Sequence, residues 1–85
     1  MWFFYVVRCA DNSLYAGITT DVARRVKEHN TSSKGAKYTR SRRPVELEFE
    51  VNFDNKSEAL KSEARFKKLR KADKELLIQG GPFEN

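Results

Sequence analysis

The sequence predicts an α+β domain in which two strands and a helix are followed by a third strand and two further helices. Three observations predict it. Residues 2–9, Trp-Phe-Phe-Tyr-Val-Val-Arg-Cys, are dominated by aromatic and β-branched side chains, the composition of a strand covered on both faces. Residues 45–53 alternate, Val45, Leu47, Phe49, Val51 and Phe53 against Glu46, Glu48, Glu50 and Asn52, as a strand with one wet face does. Helix-start chemistry opens the stretches that follow Asp21 and Asn55.

After the first strand, Asp11-Asn12-Ser13 is turn chemistry, and Leu14–Thr19 then returns as the second strand of a hairpin. Gly17 inside that strand predicts a bulge or a close approach. Thr20-Asp21 starts a helix over 21–30, with Asp21 favourable at the positive helix end and Thr19 and Thr20 read as capping residues. Residues 31–43 are a polar, basic loop closed by Pro44. The alternating strand is followed by a helix with a possible Asn55/Glu58 capping box, expected to reach Leu69 or Lys71. A last short helix, about 72–79, should stop at Gly80-Gly81-Pro82.

The chain has 85 residues, which suits one domain over 1–85 and a modest core, with roughly 60–65% of the unfolded surface buried. One cysteine and one histidine exclude a disulfide framework, a Cys-based structural zinc site and multi-histidine metal sites. Cys9 has no base paired with it in the sequence pattern and reads as a buried, inert thiol. The run Trp2–Val7 is far shorter than the ~20 residues that span a bilayer, and it lacks the charged leader of a signal peptide. The expected address is a reducing cytoplasm, with no membrane association.

Seventeen Lys and Arg against twelve Asp and Glu give a net charge of +5, which favours a polyanionic partner, nucleic acid first. Segment 34–43, Lys-Gly-Ala-Lys-Tyr-Thr-Arg-Ser-Arg-Arg, contributes five cations and no carboxylate, and the rest of the chain balances twelve against twelve. Lys34, Lys37, Arg40, Arg42 and Arg43 are candidate phosphate contacts, and Tyr38 a candidate stacking surface for an unpaired base. The competing reading is a solvated charged loop. Arg65, Lys67, Lys68, Arg70, Lys71 and Lys74 make a second basic surface, read in part as solubilising.

Two helices carry charged residues where apolar ones belong. In the first, Val22, Arg25, Val26 and His29 fall on one stripe at ~100° per residue. Either the Arg25 stem snorkels over apolar surface, or the stripe carries function. In the second, Glu63 falls between Ala59 and Phe66 on one side and Leu60 and Ala64 on the other. A carboxylate there needs a partner, a proton or a metal; an ion pair with Lys67 at i,i+4 is the structural alternative. Tyr5 and Tyr15 are both odd-numbered across one turn, which suits a shared sheet face.

Taken in order, Phe3-Phe4-Tyr5, Tyr15-Ala16-Gly17, Arg25 eight residues after that glycine, His29 four later, and Glu63 within Glu-Ala-Leu-Lys-Ser-Glu-Ala resemble the GIY-YIG nuclease domain. The resemblance covers residues 2–79 and is strongest to small stand-alone bacterial GIY-YIG proteins, which carry a similar first strand and a similar Lys-Gly-Ala-Lys-Tyr-Thr-Arg loop. It implies a small three-stranded antiparallel sheet flanked by helices. It also implies a metal-dependent endonuclease acting on DNA, branched and single-stranded forms included.

The resemblance further implies that Glu63 holds one divalent cation, Mg²⁺ or Mn²⁺, and that Arg25 neutralises charge on the phosphate. Tyr5 would be the general base with Tyr15 as its partner. His29 would orient or assist proton transfer, and Gly17 would let the backbone approach. Two other functions compete: a nucleic-acid-binding module without catalysis, and an adaptor for a larger repair protein. A protein partner supplying specificity fits the first of the three readings as well.

Overall fold

The computed structural model describes residues 1–80, so Gly81 and Pro82 of the expected helix stop lie outside the described residues. Seven elements follow in order: β1 (Trp2–Arg8), β2 (Leu14–Thr19), α1 (Val22–Thr31), α2 (Lys37–Arg40), β3 (Glu46–Phe53), α3 (Lys56–Lys67) and α4 (Lys71–Ile78). The three strands form one antiparallel sheet in the order β2-β1-β3. This is the expected α+β architecture.

Placing β1 in the middle explains its composition. Phe4 and Val6 point to one face and pack with Ala16, Phe66 and Leu77 under α3 and α4. Tyr5, Val7 and Cys9 point to the other and pack with Val22 and Val45 beside α1. Every residue from Phe4 to Val7 is buried, so each face of the sheet supports its own small core.

The hairpin turns at Asn12, whose φ of 72° lies in the left-handed region that Asn tolerates better than most residues. Asp11 accepts from the Ser13 amide at 3.0 Å and fixes that turn. At the start of α1 the Asp21 side chain accepts from the Arg24 amide at 3.0 Å, and Asn55 caps α3 by accepting from the Glu58 amide at 2.9 Å. Each cap satisfies a backbone donor that the first helical turn leaves open.

Three expectations need correction. The basic loop is not wholly irregular, because Lys37–Arg40 forms the short helix α2. β3 does not alternate along its length: its register against β1 shifts between Val6, opposite Phe49, and Val7, opposite Leu47. The extra residue, Glu48, is a bulge that turns Leu47 onto the α1 face while Phe49 and Phe53 pack toward α3. Of the two readings of Gly17, the close approach is the one realised: the β1–β2 register is regular there, and the Tyr5 ring lies where a Cβ would stand.

In α3 the buried stripe is Ala59, Ser62 and Phe66, whereas Leu60 is 43% exposed and Ala64 is exposed. The helix is rotated so that its smallest side chains meet the sheet, which lets Phe66 reach Phe4, with ring centroids 5.5 Å apart.

Candidate active site

The α1 face of the sheet gathers four of the five side chains singled out above. Tyr5 and Gly17 are cross-strand partners, and the Tyr5 ring lies over the glycine. A Cβ at position 17 would stand 2.7 Å from Tyr5 Oη and 2.9 Å from Cζ, closer than carbon atoms pack. Gly17 thus makes room for a side chain. Tyr15, opposite Val7, shares that face.

His29 enters from α1 and is completely enclosed. Its Nε2 lies 2.8 Å from Tyr5 Oη, its Nδ1 lies 2.9 Å from Thr39 Oγ1, and its ring meets Tyr15 edge-on at 5.4 Å. Thr39 donates its single hydroxyl proton to the Ala36 carbonyl at 3.0 Å. It therefore accepts from Nδ1–H, and the Nδ1–H tautomer leaves Nε2 free to accept the Tyr5 hydroxyl proton. The Ala36 N–H also points at Nδ1, but at 3.4 Å it is the weaker contact beside Thr39 Oγ1 at 2.9 Å.

Arg25 sits one turn before His29 on α1. Its guanidinium donates to Glu28 Oε1 at 2.9 Å and to the Lys34 carbonyl at 2.8 Å. Burial pushes the Tyr5 hydroxyl up to about 12 against the opposing pull of Arg25. Burial, reinforced by the Arg25 charge, pushes His29 down to about 4. At neutral pH both groups are uncharged, so the pair sits in the interior without an uncompensated ion.

Glu63 comes from the opposite layer, on α3, which lies over β1 and β2. Its side chain is 19% exposed and pairs with Lys67 at 3.2 Å, so the ion-pair alternative is realised. Its negative charge reaches Tyr5, where it opposes ionisation of the hydroxyl. Among the described residues no three His, Cys, Asp or Glu side chains form a metal cage. The cleft lined by Phe3, Val22, Val26 and Leu47 contains none of these five side chains.

The basic run 34–43 divides into two groups. Lys34, Lys37 and Arg40 are exposed. Arg42 lies 3.9 Å over the Tyr38 ring and donates to Asp11 at 3.0 Å. Arg43 donates to the His29 and Ser32 carbonyls, which satisfies acceptors at the end of α1. Tyr38 stacks on Tyr15 with centroids 5.7 Å apart. Arg42, Arg43 and Tyr38 thus each make intramolecular contacts, while Tyr38 remains 38% exposed.

Sequence reasoning did not single out Thr39, which is fully buried. The available signal was its position ten residues after the one histidine, inside a segment read as a loop. Burial pushes the Cys9 thiol up, in keeping with an inert side chain. Among the described residues no helix is long and apolar enough to cross a membrane.

Comparison with known proteins gives a consistent picture. The model of the GIY-YIG catalytic domain matches residues 1–76. The UPF0213 protein YazA of Bacillus subtilis is 58% identical over 77 residues, covering 91% of this chain and 77% of the relative. The UPF0213 protein DP2720 of Desulfotalea psychrophila is 53% identical over 78 residues, covering 92% and 71%. The solution structure of the UPF0213 protein BH0048 from Bacillus halodurans superposes with a TM-score of 0.61 at 46% identity, covering 96% of this chain and 89% of that one.

Proposed function

The chain belongs to the GIY-YIG catalytic domain family, a nuclease-type family, and from that membership we propose that it is a divalent-metal-dependent endonuclease that hydrolyses phosphodiester bonds in DNA. The observation that carries the reading is the buried Tyr5–His29 pair beside Arg25. A phenol, a neutral imidazole and a fixed guanidinium on one face of the sheet are the parts that proton transfer at a phosphate needs.

Each residue then has a defined task. Arg25 is permanently charged and planar, and it neutralises charge that builds on the phosphate oxygens. Tyr5, held near 12, is a neutral phenol at neutral pH and cannot act as a tyrosinate base. It takes the proton of the attacking water only while passing its own to His29 Nε2, 2.8 Å away. His29 is unprotonated at neutral pH, so the accepting form is the populated one. The Arg25 charge helps to hold His29 down, and a phosphate bound at Arg25 offsets that charge and makes the imidazole a better acceptor. Tyr15 packs against the imidazole edge and limits its rotation.

Glu63 is the residue that would hold the cation. A partly buried carboxylate paired with an exposed lysine fits Mg²⁺ or Mn²⁺, which take one or two carboxylates and complete their shell with water and phosphate oxygens. When bound, that ion supplies Lewis-acid stabilisation of the phosphate and the leaving oxygen.

Nicking of supercoiled plasmid in Mg²⁺ or Mn²⁺ tests the proposal. The protein should nick, and Glu63→Gln should abolish nicking while leaving DNA binding in chelator unchanged. Equal loss of cutting and binding in the variant, or no metal-dependent cutting by the unaltered chain, would overturn it.

A further inference from the structure

A second run of the chain has cations without carboxylates. Residues 64–72 read Ala-Arg-Phe-Lys-Lys-Leu-Arg-Lys-Ala, with five cations and no acid. They form the end of α3, the turn after it and the start of α4. Phe66 is buried and Leu69 packs against the same core, so the apolar residues of the run face the sheet and leave the cations outside. Lys68 is exposed, and the Arg70 side chain, 86% exposed, meets only the half-exposed Asp73 carboxylate at 3.4 Å, a surface pair that costs little to open.

The fold brings this run and segment 34–43 to the same place. Arg42 donates to the Asp11 carboxylate at 3.0 Å, and its carbonyl accepts from the Ala10 amide at 2.9 Å. Lys71 donates to the Asn12 carbonyl at 2.9 Å. Both basic runs are therefore fastened to the β1–β2 turn. Tyr38 of α2 stacks on Tyr15 of β2 at one face of the sheet, while α3 lies over β1 and β2 from the other. Between them β2 is an edge strand, paired with β1 alone.

We propose that the α3–α4 turn, through Lys68 and Arg70, is a second phosphate-binding arm that works with Lys34, Lys37 and Arg40 to hold the backbone of duplex nucleic acid across the β2 edge. This rests on the nuclease reading above and adds to it the form of the substrate and the surface that holds it. Exposed cations held by nothing stronger than a surface ion pair gain from binding phosphates, because each contact releases condensed counterions. Duplex is favoured over single strand because single-strand sites rely on aromatic platforms. Here the aromatics nearest the edge are used internally, Tyr15 against His29 and Tyr38 and Tyr38 beneath Arg42. Tyr38 is 38% exposed, but its ring is already engaged by Tyr15 and Arg42, and the surface cations read the backbone.

The test is binding of the full chain, in chelator so that no cutting occurs, to a labelled duplex of about 20 base pairs and to oligo-dT of equal length, between roughly 50 and 200 mM salt. Lys68→Gln/Arg70→Gln should weaken duplex binding at least ~10-fold at about 0.1 M salt and flatten the slope of log affinity against log salt by about 2. Lys37→Gln/Arg40→Gln should do the same, and Lys27→Gln, on the exposed side of α1, should change neither. Thermal unfolding of all three should match the unaltered chain.

A salt slope that Lys68→Gln/Arg70→Gln leaves unchanged would overturn the second arm while the nuclease reading stood. Tighter binding of oligo-dT than of duplex would overturn the duplex assignment. Failure of the unaltered chain to bind either nucleic acid at low salt would remove the arm and the nuclease reading together.

Discussion

The Tyr5 hydroxyl and His29 Nε2 lie 2.8 Å apart, on side chains separated by 24 positions in the chain and exposed by only 1% and 0%. The pair joins the central strand to the first helix through a buried hydrogen bond. In a medium of low dielectric such a bond is strong when made and costly when broken. Its geometry depends on two supports that never touch each other: Gly17 beneath the Tyr5 ring and Thr39 behind the imidazole.

Gly17→Ala tests the first support. The new methyl would stand 2.7 Å from Tyr5 Oη, and the ring, which is buried, has little room to retreat. Stability should fall by about 1–3 kcal/mol in urea unfolding, the usual cost of overpacking. Cleavage should fall further than DNA binding does, because the hydroxyl is moved off Nε2 while the surface cations stay in place. Equal loss of both would show that the strand, rather than the Tyr5 position, had been disturbed.

Thr39→Val tests the second. Valine keeps the shape but removes the oxygen that accepts from Nδ1, leaving a buried donor unsatisfied at a cost of about 1–3 kcal/mol. The pH profile of cleavage should shift, because the tautomer that presents a bare Nε2 to Tyr5 is no longer favoured. Thr39→Ser keeps the acceptor and should preserve the profile even if it packs less well. A valine variant with lower stability and an unchanged profile would assign Thr39 to packing alone.

The pH dependence of stability follows from His29. Burial and the Arg25 charge lower it from 6.5 to about 4, so between these values the unfolded chain takes up a proton that the folded chain does not. Stability should be insensitive to this group above the upper value. It should fall on acidification through the window, with a slope of up to about 1.4 kcal/mol per pH unit. Glu75, lowered from 4.5 to about 2 by its bonds from Arg8, is the opposite kind of acid. Its contribution is complete above 4.5 and is lost as pH falls toward 2. His29→Gln should therefore flatten urea-unfolding stability in the upper window and leave the lower one as it was.

The strands, the hairpin and the helix starts were legible because their causes are local. The turn at Asp11-Asn12-Ser13 and the caps at Asp21 and Asn55 each act within three residues, and β1 shows its double burial in its composition. The Glu48 bulge was not legible, since strict alternation in 45–53 gives no sign of where a partner strand slips. The rotation of α3 was hidden for a similar reason: Ser62 is buried because Phe66 must reach Phe4, a demand set by another strand. At the candidate site, the misplaced polarity of Arg25, His29 and Glu63 stood out from periodicity alone. Thr39 did not, because its meaning lies in a histidine on another helix, and the internal stacking of Tyr38 depends in the same way on Tyr15 across the fold.

The central position of β1 also governs how the molecule assembles. Its first partner follows at once across a tight turn, but its second, β3, arrives only after α1 and the basic segment. A two-stranded hairpin alone is marginal in water, so β1 and β2 wait with one edge open until that long loop closes. The last anchor, Arg8 to Glu75, spans 67 positions. Folding speed is thus set by distant closures rather than by local turns. Shortening or stiffening the segment between α1 and β3 should quicken folding more than strengthening any single helix.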